Sequence, residues 1–155
     1  LTKISVEQGN TSLSTDENGI LFNNNKSALI LFPASSSLSE YSIPNTVMQL
    51  ADCSFYGSNL EKIVIGESVS KIGQNAFLNC DNLTDLTFSV KKASLGRNIF
   101  SDCDSLESVK IPEEIAVIPS GMFSSCEKLK KVVLHNRLKN INDSPDRLSE
   151  SLALF

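Results

Sequence analysis

Tryptophan is absent from this sequence, and tyrosine occurs only as Tyr41 and Tyr56. Sugar-binding platforms rest on exposed aromatic rings with a polar edge, so this scarcity weighs against a carbohydrate-binding module, the alternative reading of function. Histidine occurs once, as His135. Asp143 and Ser144 follow it, but no GxSxG elbow or oxyanion loop accompanies them, which leaves a hydrolase without its machinery. No enzymatic activity is expected. The four cysteines include no CxxC pair, whereas zinc sites want closely spaced ligands. The run Asp16-Glu17-Asn18-Gly19 and the scattered Asp81, Asp85, Asp102 and Asp104 match no calcium loop, and turn formation accounts for both. No metal or cofactor is expected. No apolar window is long enough to span a bilayer, and no basic-then-apolar segment opens the chain. With 14 basic against 18 acidic residues, a net charge of −4 and a pI near 5.0, nucleic acid is not an expected partner.

What the chain does have is a repeat. Leu60–Asn82 (LEKIVIGESVSKIGQNAFLNCDN) is followed by LTDLTFSVKKASLGRNIFSDCDS and LESVKIPEEIAVIPSGMFSSCEK. Leu60, Leu83, Leu106 and Leu129 are 23 residues apart, as are Phe77, Phe100 and Phe123, and Cys80, Cys103 and Cys126. A fixed period of about 20–50 residues is the signature of a solenoid. Ile63 and Ile65 have strand spacing with one face buried. Gly66, or Pro112 two copies on, turns the chain, and Val69 and Ile72 start a second extended arm. Gln74–Leu78 reads as one helical or 3₁₀ turn that drops Phe77 inward. A unit this small cannot bury its own apolar face and must stack on copies of itself. Equivalent residues then form parallel ladders about 4.8 Å apart: Ile63, Leu86, Val109, Val132; Ile65, Phe88, Ile111, Leu134; and Phe55, Phe77, Phe100, Phe123.

The pattern LxxIxI(P/G)xxVxxIxxxxFxxC resembles the BspA-like branch of the leucine-rich repeats. The resemblance covers most of the chain. It departs at Lys92, which stands where the first copy has Val69, and at Gly66, which replaces the usual proline; both bear on local turn geometry. It implies a right-handed β-rich leucine-rich-repeat solenoid. It also implies residence on a cell surface or outside the cell, and a role in adhesion or in binding a protein ligand of a host or neighbouring cell.

One domain is expected over residues 1–155. Leu1, Ile4 and Val6 match the opening of a repeat, so the chain begins inside its own pattern and reads as a fragment of a longer protein. Residues 1–36 are then a partial repeat plus a β-hairpin insertion. Ile20–Phe22 and Leu29–Phe32 are its strands and Asn23–Lys26 its loop, and the insertion extends or caps the stack. Residues 37–142 are repeats; the first, Tyr41–Asn59, is degenerate and one residue short after Phe55. In 143–155, Ser144-Pro145-Asp146 reads as a helix start, with Leu148, Leu152 and Phe155 at helical spacing, which predicts a C-terminal capping helix.

Cys80, Cys103 and Cys126 share a column whose parallel side chains suit disulfide geometry poorly, so three free core thiols are expected. Cys53 aligns with Asn75 and has no role in this scheme. His135 directly follows Leu134, which predicts a solvated surface histidine. Lys128, Lys130, Lys131, Arg137 and Lys139 form a locally basic stretch, more often a solvated face than a docking site. Asn10, Asn25, Asn82 and Asn142 are glycosylation acceptors only in a host that modifies them. The candidate partner-binding residues are the outward strand positions, in one column Lys62, Asp85, Ser108 and Lys131 and in the next Val64, Thr87, Lys110 and Val133. Stacked strands would present them as one regular face, the kind of extended surface on which solenoids bind partners.

Overall fold

The computed structural model describes residues 1–142; the expected capping helix over 143–155 lies outside them. The described residues form β1 (Leu13–Thr15), β2 (Leu21–Asn23), β3 (Ala28–Leu31), β4 (Glu40–Ser42), β5 (Gln49–Leu50), β6 (Lys62–Ile65), β7 (Lys71–Ile72), β8 (Asp85–Phe88), β9 (Ser94–Leu95), β10 (Ser108–Lys110), β11 (Val117–Ile118), β12 (Lys131–Val133) and β13 (Asn140–Ile141). From residue 37 onward the chain winds in coils ending at about 59, 82, 105 and 128, with a fifth begun at Leu129. Each coil has three sides: a strand of three or four residues, a second strand of two, and a side of turns.

The expected registers hold on the strand sides. On the first, β4, β6 and β8 form a parallel sheet in which Ile63 lies opposite Leu86 and Ile65 opposite Phe88. On the second, β5, β7 and β9 pair in the same sense. The N-terminal insertion is a three-strand meander, β1-β2-β3, one strand more than the expected hairpin. It extends the second sheet because β3 pairs in parallel with β5. Asp16 holds its first turn by accepting from the backbone N–H groups of Asn18 and Ile20, the turn role expected of that acidic run. Leu1, Ile4 and Val6 form no strand, and Leu1 is exposed.

The turn side differs from the expected helical turn. At Cys53, Phe55 and Gly57 alternate N–H groups donate to the next coil, to the carbonyls of Gln74, Ala76 and Leu78. The same alternation recurs at Asn75, Phe77 and Asn79. Groups committed to the neighbouring coil cannot donate to the carbonyl four residues back, so no helix forms. Two backbone columns are left-handed instead: Cys53, Asn75, Asn98 and Gly121, and Gly57, Asn79, Asp102 and Ser125. Asparagine, aspartate and glycine tolerate that conformation best, which accounts for most of both columns. It also gives Cys53 a place: it occupies the first left-handed position of its coil.

The core is one continuous cluster. Its axis is a column of five rings, Phe32, Phe55, Phe77, Phe100 and Phe123, with successive centroids 5.1, 4.6, 5.2 and 6.0 Å apart and planes within about 22°. Phe32 is an added rung below the one expected to start at Phe55. Leu60, Leu83, Leu106 and Leu129 are all buried beside it. Leu134, expected as the last rung of the Ile65 ladder, lies beyond the end of β12 and is 43% exposed.

The ladders are interrupted once. β10 pairs with β12 and β11 with β13, but neither joins the preceding coil, so each strand side is split between the third and fourth coils. The turn side stays closed there, through Asn98 N–H to Ser120 O at 3.0 Å, Phe100 N–H to Met122 O at 2.9 Å and Asp102 N–H to Ser124 O at 2.8 Å. The result is a wedge hinged on the phenylalanine column.

Three sequence features meet at the wedge. Lys92 occupies the column of Val69 and Ile115, which are buried. A lysine resists burial, so it turns outward and Val90 is buried two residues early. Phe88 brings a larger ring into the column of Ile65 and Ile111 and meets Phe100 edge-on at 5.8 Å. Pro112 and Pro119 occupy the positions of Ser89 and Gly96, whose N–H groups donate to the preceding coil at 2.9 and 2.8 Å. Proline has no N–H to give. Around the second side, Gly73, Gly96 and Asn142 all donate backward to Leu50, Ile72 and Ile118, and Pro119 is the member of that column that cannot.

Candidate partner-binding face

The outward positions arise from strand alternation. In β6, Ile63 and Ile65 are fully buried while Lys62 and Val64 are half-exposed, and in β8 Asp85 and Thr87 point outward. Ser108 and Lys110 of β10 and Lys131 and Val133 of β12 are exposed around buried Val109 and Val132. Lys62 lies opposite Asp85 and Val64 opposite Thr87; Ser108 lies opposite Lys131 and Lys110 opposite Val133. The eight residues therefore share one side of the solenoid in the expected register. They do not form continuous columns, because the wedge separates the β6–β8 block from the β10–β12 block.

The two blocks also differ in charge. Lys62 is engaged between Glu40 at 4.0 Å and Asp85 at 3.8 Å. Lys130 beside the second block pairs with Glu107 at 3.3 Å. Lys110 and Lys131 have no ion-pair partner among the described residues, so the second block carries the free positive charge.

The cysteine column is structural. The Sγ–H groups of Cys80, Cys103 and Cys126 donate to the carbonyls of Phe55, Phe77 and Phe100 at 3.2, 3.2 and 3.0 Å, each into the preceding coil. Ser58 begins the column, its hydroxyl 3.3 Å from Cys80 Sγ; a serine 22 residues before Cys80 was the available signal in the degenerate copy. The neighbouring Cys80 thiol, with burial, pushes Cys103 up. Burial pushes Cys126 up to about 12. A thiol raised in this way stabilises the fold below its unfolded pKa. That contribution of Cys126 is lost as pH rises from about 8.5 towards 12. With a maleimide reagent at neutral pH we expect Cys53, which is exposed, to react quickly and the three column thiols only after denaturation. Rapid native labelling of all three would contradict the column.

His135 is half-buried rather than solvated. Its Nδ1 accepts from the Arg137 N–H at 3.1 Å, so Nε2 carries the proton and donates to the Ile115 carbonyl at 3.0 Å. The ring pins the fifth coil to the fourth, with no serine or carboxylate at either nitrogen among the described residues; Asp143 and Ser144 lie outside them. Of the two tyrosines, Tyr41 packs against Phe32 and Phe55, which leaves Tyr56 as the exposed aromatic among the described residues.

These observations define a class: a stack of about five β-coils with parallel ladders, built on a leucine-and-phenylalanine repeat. The BspA type leucine rich repeat region matches residues 30–145 in six copies, and the chain belongs to that family. Among solved structures it is similar to a leucine-rich repeat protein from Eubacterium ventriosum, with 26% identity over 92% of this chain and a TM-score of 0.75. It is equally similar to a leucine rich cell surface protein from Faecalibacterium prausnitzii, with 26% identity over 97% of the chain and a TM-score of 0.75. The pneumococcal vaccine antigen PcpA shares the fold, at 24% identity over 97% of the chain and a TM-score of 0.67. The chain spans 42%, 44% and 41% of those three proteins. No curated protein sequence matches it significantly. No helix among the described residues is long and apolar enough to cross a membrane.

Proposed function

We propose that this chain is a non-enzymatic protein-interaction or adhesion module of a cell-surface or secreted bacterial protein, binding a protein ligand of a host or neighbouring cell through its first strand side. The observation that carries this reading is the set of exposed side chains in register within the β6–β8 and β10–β12 blocks of that side, held by a buried core. Support for the setting comes from the family and from the similar cell-surface protein of F. prausnitzii. A sugar-binding surface has less to build on, since Tyr56 alone offers an exposed ring among the described residues.

Lys110 and Lys131, uncompensated on that side, are the residues expected to attract an acidic partner. Exposed ion pairs contribute about 0–1 kcal/mol each, so their effect falls on association rate and salt sensitivity. The test is capture of surface proteins from host or neighbouring-cell extracts by the immobilised chain, with Lys110→Glu/Lys131→Glu as the control and a glycan array beside it. The double variant should melt within about a degree or two of the parent, as surface substitutions usually do, and should capture the partner more slowly. Equal capture by the folded variant would place the site elsewhere; glycan binding without protein capture would replace the reading with the carbohydrate one.

A further inference from the structure

The wedge between the third and fourth coils leaves two strand edges facing one another without a ladder. Elsewhere on the first side the edges are joined: the Ile43 N–H donates to Val64 O and the Ile111 N–H to Val133 O, both at 3.0 Å. The equivalent N–H in the third coil belongs to Phe88, and no hydrogen bond joins β8 to β10 among the described residues. Backbone groups at such a place require partners, and Pro112 and Pro119 deny the fourth coil two of the donors that would close it. At the corner the opening is lined by Phe88, Val90, Lys110, Pro112, Glu113 and Glu114, with a volume of about 270 Å³, and adjoins a groove of about 770 Å³ beside Lys92 and Arg137. On the two facing edges the inward side chains are half-buried Leu86 and buried Phe88 of β8 and buried Val109 of β10. The Lys91–Glu67 pair at 2.6 Å fastens the third-coil corner to the second coil, so the edge of β8 is held in place while the gap lies beyond it.

We propose that this wedge receives an extended peptide segment of the partner protein as an added strand, paired to the edge of β8 and reaching β10. Strand addition takes its affinity from main-chain hydrogen bonds and its specificity from alternate side chains. Here the inward side chains meet Leu86, Phe88 and Val109 and must be apolar. The outward ones lie between Asp85 and Thr87 of β8 and Ser108 and Lys110 of β10, so the one beside Lys110, which has no counter-ion among the described residues, must be acidic and the others polar. The occupant is therefore a segment alternating apolar and polar residues, with an acid beside Lys110. The proposal deepens the interaction-module reading by naming the kind of partner, and it rests on that reading only for where the segment comes from.

The test is amide hydrogen exchange by NMR on the whole chain, free and with a blocked hexapeptide alternating valine and glutamate. In the free protein the Leu86 and Phe88 amides should exchange at least about tenfold faster than those of Ile63 and Ile65 in the doubly paired β6, since exposed backbone bonds mark low local protection. Saturating peptide should slow Leu86 and Phe88 by about tenfold or more. The same peptide N-methylated at alternate residues should give no protection, and Lys110→Glu should weaken binding of the parent peptide about three- to tenfold. Equal protection of the four amides in the free protein would show a closed ladder and overturn the proposal. Peptide binding that leaves Leu86 and Phe88 unprotected, or that survives N-methylation, would overturn it too, as would an absence of binding. None of those results touches capture of a folded partner by the strand side, so the two readings fail separately.

Discussion

Phe100→Ala should destabilise the protein by about 3–5 kcal/mol, the range for truncating a buried phenylalanine. Phe100 has no exposed surface and lies between Phe77 at 5.2 Å and Phe123 at 6.0 Å, with the edge of Phe88 at 5.8 Å. Its position at the wedge gives the change a second signature. Across the gap the backbone hydrogen bonds to the fourth coil are confined to the turn side, and the ring column runs through that hinge. In a stacked-repeat protein, stability is the sum of unit and interface terms. Weakening this interface should uncouple the fourth and fifth coils, so that urea unfolding followed by circular dichroism becomes two transitions, the first well below the parent midpoint. A single transition at the parent midpoint would contradict both the register and the hinge.

Gly96→Ala should be destabilising by about 1–3 kcal/mol or more, as for overpacking of a tight interior. A β-carbon there would lie 2.4 Å from the Gln74 nitrogen and 2.6 Å from the Gly73 carbonyl carbon, both backbone of the preceding coil. Backbone cannot rotate out of the way, so the coil spacing must widen and strain the Gly96 N–H to Ile72 O bond at 2.8 Å. Gly66→Ala is the internal comparison, because its nearest neighbour would be Asn45 Oδ1 at 3.9 Å. Where the backbone suits alanine, the substitution stabilises by about 0.4–1 kcal/mol through the unfolded state. Opposite signs for the two variants in thermal melts are expected; a neutral Gly96→Ala would mean that the coils are not in close contact at that corner.

The two glycines occupy different columns of one repeat, and their contrast marks how far the repeat pattern carries. Leu60, Ile63, Ile65, Phe77 and Cys80 recur every 23 residues, and stacking gives each the same environment as its equivalents, so burial and register followed from periodicity. The thiol column was legible for the same reason. The left-handed positions were visible as Asn75, Asn79, Asn98 and Asp102, but a turn of five residues is equally compatible with a helical reading until the direction of its N–H groups is known. His135 was misplaced because its partners, Ile115 and Arg137, come from a neighbouring coil and a turn.

By itself the sequence determined the family, the parallel β-stack, the inward and outward faces and the identity of the eight outward strand residues, because these depend on side-chain pattern alone. Only the tertiary structure decided whether those residues form one face or two. Lys92, Phe88, Pro112 and Pro119 are each tolerable in a repeat. Their joint effect depends on which backbone donor meets which acceptor across one particular pair of coils, and hydrogen-bond pairing between coils is a property of their spacing in three dimensions.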